Sequence, residues 1–332
     1  MAEYTGIMVI VESAEGMLAN ITRELLGCGR KLADELSEEL SAAILGDSVS
    51  SLSKEVTAYG ADKVYIADKP FLKNYSNDTY TNTMEAIVKQ VMPKVLLLGQ
   101  TAIGRDLAPS LAFRLSTSAT TDCIELSIDV ESGQLLQTKP IYGGNAKATF
   151  ISECYPQIAA VRPKVYSPTK PDDSRQGEII IIDTKLESVA IRTKVIDKVS
   201  RTKEGIRLED AAVVIAGGRG IGSAEGFKQL EELADLLGGA VGATRPPCDN
   251  GWIRDSAQIG LTGKIIAPEF YMAIALSGSS QHISGCSGAR NIIAINKDAE
   301  ANIFNVARFG IADDWKKVLP AFTEKVRKLL AK

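Results

Sequence analysis

The residues of this chain best suited to chemistry lie between Val213 and Trp315, in short turns that each follow an apolar run. The first is Gly217-Gly218-Arg219-Gly220-Ile221-Gly222. A glycine turn between a buried strand and a helix aims backbone N–H groups and the positive end of the helix dipole at an anion, usually a phosphate. The spacing departs from the dinucleotide fingerprint G-x-G-x-x-G, so a purely structural turn stands beside the anion reading. Thr244-Arg245 offers a hydroxyl and a fixed positive charge. Gln258-Ile259-Gly260-Leu261-Thr262-Gly263-Lys264 and Ser277-Gly278-Ser279-Ser280-Gln281-His282 supply small polar groups and the one histidine of the chain. Asn296-Lys297-Asp298 and Phe309-Gly310-Ile311-Ala312-Asp313-Asp314 complete the series. A lone histidine without spaced carboxylate or cysteine neighbours builds no ordinary zinc site, so no metal is expected.

These turns need strands and helices to hold them. The apolar run Ala211 to Ala216 predicts a strand buried on both faces. Phe227, Leu230, Leu233, Ala234 and Leu237 recur at helical spacing, and Gly238-Gly239 ends that helix. Ala240 to Ala243 reads as a short strand delivering Thr244-Arg245. Ile265-Ile266-Ala267 reads as a further strand, with a helix starting at Pro268-Glu269. Ile292 to Ile295 delivers Asn296, and Trp315 to Leu330 is an amphipathic helix with a solvated lysine face. In open α/β sheets ligands sit outside the carboxyl ends of the strands. Gathered there, several small polar turns suit a large flat ligand that carries phosphates.

Taken in order, these segments resemble the C-terminal flavin domain of electron-transfer flavoprotein α subunits. That family runs G-G-R-G, G-A-S-R, Q-x-G-Q-T-G-K, P-x-x-Y, S-G-A-I-Q-H, A-I-N-K-D and Y-G-x-x-x-D, and this sequence supplies nearly all of it at the family's spacing. The resemblance extends more loosely over the rest of the chain. It implies FAD as cofactor. Thr244, Arg245, Gln258, Ile259, Gly260, Leu261 and Thr262 would line it with Ser277, Gly278, Ser279, Ser280, Gln281 and His282. Arg219 would serve the pyrophosphate or the subunit boundary, Asn296 and Asp314 would hold the adenosine end, and Trp315 would pack on adenine. Arg245 and His282 would tune the flavin from its pyrimidine edge, where negative charge collects on reduction. Against the family pattern, Thr244 replaces serine, Leu261 a glutamine, Ser279-Ser280 an Ala-Ile pair, Arg308 an aspartate and Trp315 a leucine.

The role implied by the resemblance is that of an electron carrier, the α subunit of a heterodimer completed by a β subunit. It would pass electrons between flavin dehydrogenases, such as acyl-CoA dehydrogenases, and a further acceptor. Both a plain carrier and one that bifurcates electrons from NADH fit, and no catalytic residue is required. The alternative is a nicotinamide-dependent oxidoreductase with its own small-molecule substrate site, although no acid–base residue lies near the glycine turn. A regulatory module binding ATP or AMP is a third class.

Elsewhere the chain reads as scaffold. Its 332 residues predict two α/β domains, 1–205 and 206–332, each a mainly parallel sheet flanked by helices, the second Rossmann-like or flavodoxin-like. A net charge of −3 gives no electrostatic case for nucleic acid. No apolar run reaches the ~20 residues of a membrane span. Met1-Ala2-Glu3-Tyr4 lacks the pattern of a signal peptide, so the expected location is cytoplasmic. Five dispersed cysteines without a C-x-x-C pair predict neither a disulfide framework nor an iron–sulfur site. Strands are expected at Ile7 to Val11, Ala42 to Gly46, Lys63 to Ala67 and Val95 to Gly99. Helices are expected within Leu18 to Leu36, near Lys54 to Tyr59 and over Thr79 to Val91. Gly104-Arg105-Asp106 is read as a structural turn and helix start rather than an anion site. Tyr142-Gly143-Gly144-Asn145 and Pro156 to Pro163 resemble family signatures expected to fix strand turns and the subunit contact. Ser167 to Gln176 predicts a surface connection, Glu178 to Asp183 a closing strand, and Ser200 to Ile206 the hinge.

Overall fold

The computed structural model describes residues 4–14, 16–144, 146–183, 192–193, 195–197 and 206–331. Apart from Ile206, the expected hinge lies outside the described residues, as does Asn145. The chain forms two compact units, Met1–Ile141 with Lys147–Val199, and Tyr142–Ala146 with Ser200–Lys332.

In the first unit, β1 (Ile7–Val11) is followed by a two-residue pair, β2 (Ser13–Ala14) and β3 (Met17–Leu18), and then by α1 (Asn20–Leu36). Next come β4 (Leu40–Gly46), α2 (Ser53–Ala58), β5 (Lys63–Asp68), α3 (Asn77–Val91), β6 (Val95–Gly99) and α4 (Ala102–Arg114). The remaining strands are β7 (Ala119–Cys123), β8 (Glu125–Ile128), β9 (Leu135–Ile141), β10 (Ala146–Phe150), β11 (Gln157–Val161) and β12 (Glu178–Ile181). Seven strands make one parallel sheet in the order β12-β5-β4-β1-β6-β11-β7. Its central strands β4, β1, β6 and β11 are buried along their whole length because helices cover both faces. Val9, Ile44 and Leu97 pack with Leu25 and Leu32 of α1, whereas Met8, Ala43 and Leu98 pack with Ile87 of α3 and Leu107 of α4. The order reverses beside β1, where Glu12 is half-buried and accepts a hydrogen bond from Thr101 Oγ1 at 2.8 Å. Burial pushes the Glu12 carboxyl up to about 7. Glu24 of α1, which accepts from the Lys164 backbone N–H at 2.6 Å, is also raised to about 7 by burial. Gly104 belongs to α4, capped by Thr101, and a side chain there would overlap the Gly99 carbonyl. Close helix–strand packing therefore accounts for that glycine.

Strands β8, β9 and β10 form a small separate sheet, antiparallel between β8 and β9. The sequence pattern predicts no such sheet, because β7 to β10 are half-exposed and rich in Thr, Ser, Gln and Lys.

The second unit holds β13 (Val213–Gly217), α5 (Ala224–Leu236), β14 (Ala240–Ala243), α6 (Arg245–Asp249) and β15 (Phe270–Ile274). It continues with α7 (Ser280–Cys286), β16 (Asn291–Asn296), β17 (Phe309–Ala312) and α8 (Trp315–Leu330). All five strands are parallel, in the order β14-β13-β15-β16-β17. Two expectations are corrected here: Ile265-Ile266-Ala267 forms no strand and no helix starts at Pro268-Glu269, and Phe270–Ile274 is the central strand. Its apolar run is too short for a helix and is buried between β13 and β16. Phe309–Ala312 forms the edge strand, exposed at every residue. Phe227, Leu230 and Leu233 of α5 pack on Ile215, Met272 and Ile295 from one side. Tyr271, Ala273, Ala294 and Cys286 fill the other.

Of the five thiols, Cys28, Cys123, Cys248 and Cys286 are buried and Cys154 is exposed. Burial pushes the thiols of Cys28, Cys123 and Cys286 up to about 12 and that of Cys248 up to about 11.

Candidate functional site

Parallel strands all end on one side, so the turns singled out above meet at the carboxyl edge of the second sheet. The glycine turn after β13 is a single 3-10 turn, Arg219–Ile221. It is seated on the end of β15: Gly218 N–H donates to Ile274 O at 2.9 Å and Gly220 N–H to Ala275 O at 3.2 Å. A Cβ on Gly218 would stand 2.5 Å from Leu276 Cα, and one on Gly220 would stand 2.9 Å from Ala275 O. These two glycines answer to close backbone approach, and both N–H groups are engaged within the protein. Arg219 itself is exposed. Ser223 caps α5 by accepting from Gly226 N–H at 3.3 Å.

Thr244 leaves β14 half-buried, and Arg245 opens α6 with its side chain exposed and its Nε 3.2 Å from Asp249 Oδ2. The loop 258–264 folds back on itself: Lys264 N–H donates to Gln258 O at 2.7 Å and Gly260 N–H to Lys264 O at 3.1 Å. Gln258 Nε2 donates to Thr262 Oγ1 at 2.9 Å, while Ile259 and Gly260 are buried and Leu261 and Thr262 face out. Lys264 pairs with Glu209, which fixes the far end of the loop. Leu261 N–H donates to Gln281 O at 2.8 Å and ties the loop to α7. Before α7, Gly278 has φ +77 and Ser277 and Ser279 are exposed, as are Ser280 and Gln281 in its first turn. Ala275, at the end of β15, holds φ of 50°, in the left-handed region that a side chain disfavours.

Three expected ligands turn inward. His282 is buried, its Nδ1 3.0 Å from Ile259 O and its Nε2 2.7 Å from the Tyr271 hydroxyl. Burial lowers its pKa to about 4, so the ring is neutral near pH 7. In this chain both ring nitrogens have partners within the protein. Trp315 is also buried, packs in the α5–α8 core and donates Nε1–H to Gly220 O at 3.1 Å, so it offers no free face for adenine. Asn296 spends its side chain on the fold, donating to Leu276 O at 2.8 Å and accepting from Asp298 N–H at 3.0 Å. Asp314 caps α8 by accepting from Lys316 N–H at 3.0 Å. Arg308 donates to Asn291 Oδ1 at 2.8 Å. Sequence reasoning missed Tyr271, whose signal was the tyrosine of the P-x-x-Y segment, hidden inside the mistaken helix.

What remains at the edge is a donor set of Arg219, Arg245, Thr262, Ser277, Ser279, Ser280 and Gln281, with Leu261 as an exposed apolar side chain. Guanidinium groups for phosphate, hydroxyls for a sugar chain and an apolar side chain for a ring fit a flat, phosphate-bearing group such as FAD. Among the described residues no cluster of His, Cys, Asp or Glu is arranged for a metal, and no helix is long and apolar enough to cross a membrane.

An open parallel α/β unit with such an edge defines a nucleotide-cofactor domain. Residues 7–186 match the electron transfer flavoprotein domain, and residues 207–287 the electron transfer flavoprotein FAD-binding domain. The electron transfer flavoprotein subunit alpha of Thermoanaerobacterium thermosaccharolyticum is 43% identical over 330 residues, covering 99% of this chain and 100% of that protein. That of Megasphaera elsdenii is 43% identical over 331 residues, covering 99% and 98%. Protein FixB of Clostridium saccharobutylicum is 40% identical over 332 residues, covering 100% and 99%. The chain belongs to the electron transfer flavoprotein alpha-subunit family. Its cofactor is FAD and its role is to carry electrons.

Proposed function

We propose that FAD lies along the carboxyl edge of β13, β14 and β15, held by Arg219, Thr244, Arg245, the loop 258–264 and the segment 277–281. The observation that carries this reading is the convergence of exposed guanidinium, hydroxyl and amide groups on one edge of a domain whose other face is packed core. FAD supplies the electron chemistry; the chain's residues bind it, orient it and set its potential. We take residues 206–332 as the flavin domain and 1–205 as the domain that meets a β subunit. Flavin dehydrogenases such as acyl-CoA dehydrogenases are the proposed donors. Two FAD per heterodimer would mark a bifurcating member, and one FAD a plain carrier. The nicotinamide reading is the weaker one, since the single histidine is neutral and enclosed.

Arg245, Leu261, Ser279, Ser280 and Gln281 are all exposed in this chain by itself, so the site has an open outer wall. A β subunit would close it. The chain produced with its β subunit is expected to purify yellow, with stoichiometric FAD, whereas the chain produced alone is expected to lose FAD on sizing. A stable, fully loaded chain without a partner would overturn this.

Arg245 places a fixed positive charge on the edge where reduction brings negative charge. An exposed pair of opposite charges contributes about 1 kcal/mol, rising to about 4 kcal/mol as water is excluded. For one electron, 1 kcal/mol corresponds to about 43 mV. Arg245→Ala should therefore lower the first potential of the bound FAD by roughly 50–100 mV, with FAD still bound. Arg245→Lys should recover part of the difference, because charge returns without the planar fork. Spectroelectrochemistry of the FAD-loaded heterodimer checks it; an unchanged first potential would leave Arg245 only its ion pair with Asp249.

A further inference from the structure

We infer that Tyr271 is a positioning residue for the cofactor site, acting through His282 to hold the loop 258–264. This inference rests on the proposed placement of FAD against that loop. The geometry fixes the protons. The Ile259 carbonyl, 3.0 Å from His282 Nδ1, can only accept, so the imidazole proton is on Nδ1. Nε2 then presents a lone pair, and the Tyr271 hydroxyl, 2.7 Å away, must donate to it. Tyr271 is fully buried in the central strand β15 and His282 is buried in α7, so water competes at neither end. The low pKa of His282 keeps the ring in this neutral, single-tautomer form.

The consequence runs outward. Ile259 sits between two anchors of the loop: its N–H donates to Ala243 O at 2.9 Å, and its carbonyl receives the imidazole. Two residues on, Leu261 N–H bonds to Gln281 O, one residue before His282. The loop that carries Leu261 and Thr262 outward is thus clamped to α7 at two points, and in one of them the imidazole that donates to the loop accepts its own hydrogen bond from the Tyr271 hydroxyl. The sheet supplies the rigidity, since a strand buried between two neighbours is among the last elements to open.

Tyr271→Phe keeps the ring and removes the hydroxyl, leaving a buried imidazole lone pair without a donor. In the FAD-loaded heterodimer, amide hydrogen exchange over 258–264 should accelerate about ten-fold, with exchange in β13 unchanged. FAD release should accelerate by a similar factor, and the visible absorption maximum of the bound flavin should move. His282→Gln keeps one donor and one acceptor and should protect the loop better than His282→Leu. Unchanged exchange over 258–264 in Tyr271→Phe overturns the inference, as does equal loss of protection in the two His282 variants. Faster loop exchange with FAD release and spectrum untouched supports the clamp and counts instead against FAD lying on that loop.

Discussion

Gly278→Ala is expected to cost about 2–5 kcal/mol and to abolish FAD retention, although it adds a single methyl group. Gly278 has φ +77, where an L side chain pays about 1–2 kcal/mol for its Cβ. The new methyl would also overlap the Ile303 amide nitrogen and lie 2.6 Å from Ile303 Cα. Those are backbone atoms held by the bond from Ile303 N–H to Ser277 O at 3.1 Å, so neither can move aside without opening the turn. The overpacking adds about 1–3 kcal/mol. Because the same turn presents Ser277 and Ser279, its displacement removes part of the donor set directly. Gly238→Ala is the matched control. Gly238 also has positive φ, +60, but nothing lies within 4 Å of its added methyl, and it closes α5 at the opposite edge of the sheet. It should cost about 1 kcal/mol of backbone strain and leave FAD in place. Denaturant unfolding of the two variants, with flavin absorbance after gel filtration, compares them. Equal losses would show that close approach at Ile303 is not the deciding factor.

Lowering the pH from neutral toward 4 is expected to remove about 3 kcal/mol from the stability of the second unit. His282 has a folded pKa of about 4 against an ordinary value of 6.5. Between these values the unfolded chain binds a proton that the folded unit excludes, so stability falls as pH falls through that window. Burial is the cause, and the buried ring is little screened by solvent. Glu12 and Glu24 act in the opposite sense in the first unit. Their folded values of about 7 exceed the ordinary 4.5, so their contribution is complete below 4.5 and is lost as pH rises toward 7. The two tryptophans, Trp252 and Trp315, both lie in the second unit, so their fluorescence follows that unit alone. Unfolding monitored by tryptophan should require less denaturant at pH 5 than at pH 7, and His282→Gln should flatten that difference. A pH slope that survives His282→Gln unchanged would assign it to other groups.

Strands Ile7–Val11, Val95–Gly99 and Ala240–Ala243 were legible in the sequence because strands buried on both faces are written as unbroken apolar runs. Helix α1 was legible from its leucine spacing. Phe270–Ile274 was misread because Pro268-Glu269 is also how a helix commonly begins, and local pattern carries no record of the two strands that flank this one. The strands of the small antiparallel sheet lacked any apolar signature, since much of their surface stays wet. At the carboxyl edge of the second sheet, the turns themselves were legible from glycine and serine content. The direction of the rings was not. Whether His282 and Trp315 face a ligand or the core depends on the Tyr271 hydroxyl and the Gly220 carbonyl, each brought close only by the tertiary fold.

The uneven burial of the thiols makes the native chain a single-handle protein. Cys28, Cys123, Cys248 and Cys286 are enclosed and held far from the thiolate form, while Cys154 stands exposed in the loop before β11. Alkylating reagents attack thiolates that they can reach. A maleimide dye or nitroxide added to the folded protein therefore attaches at one known position in the first unit, with no cysteine replaced beforehand. The indoles of Trp252 and Trp315 already supply an optical reporter in the second unit, so each unit carries its own label in one unmutated sample.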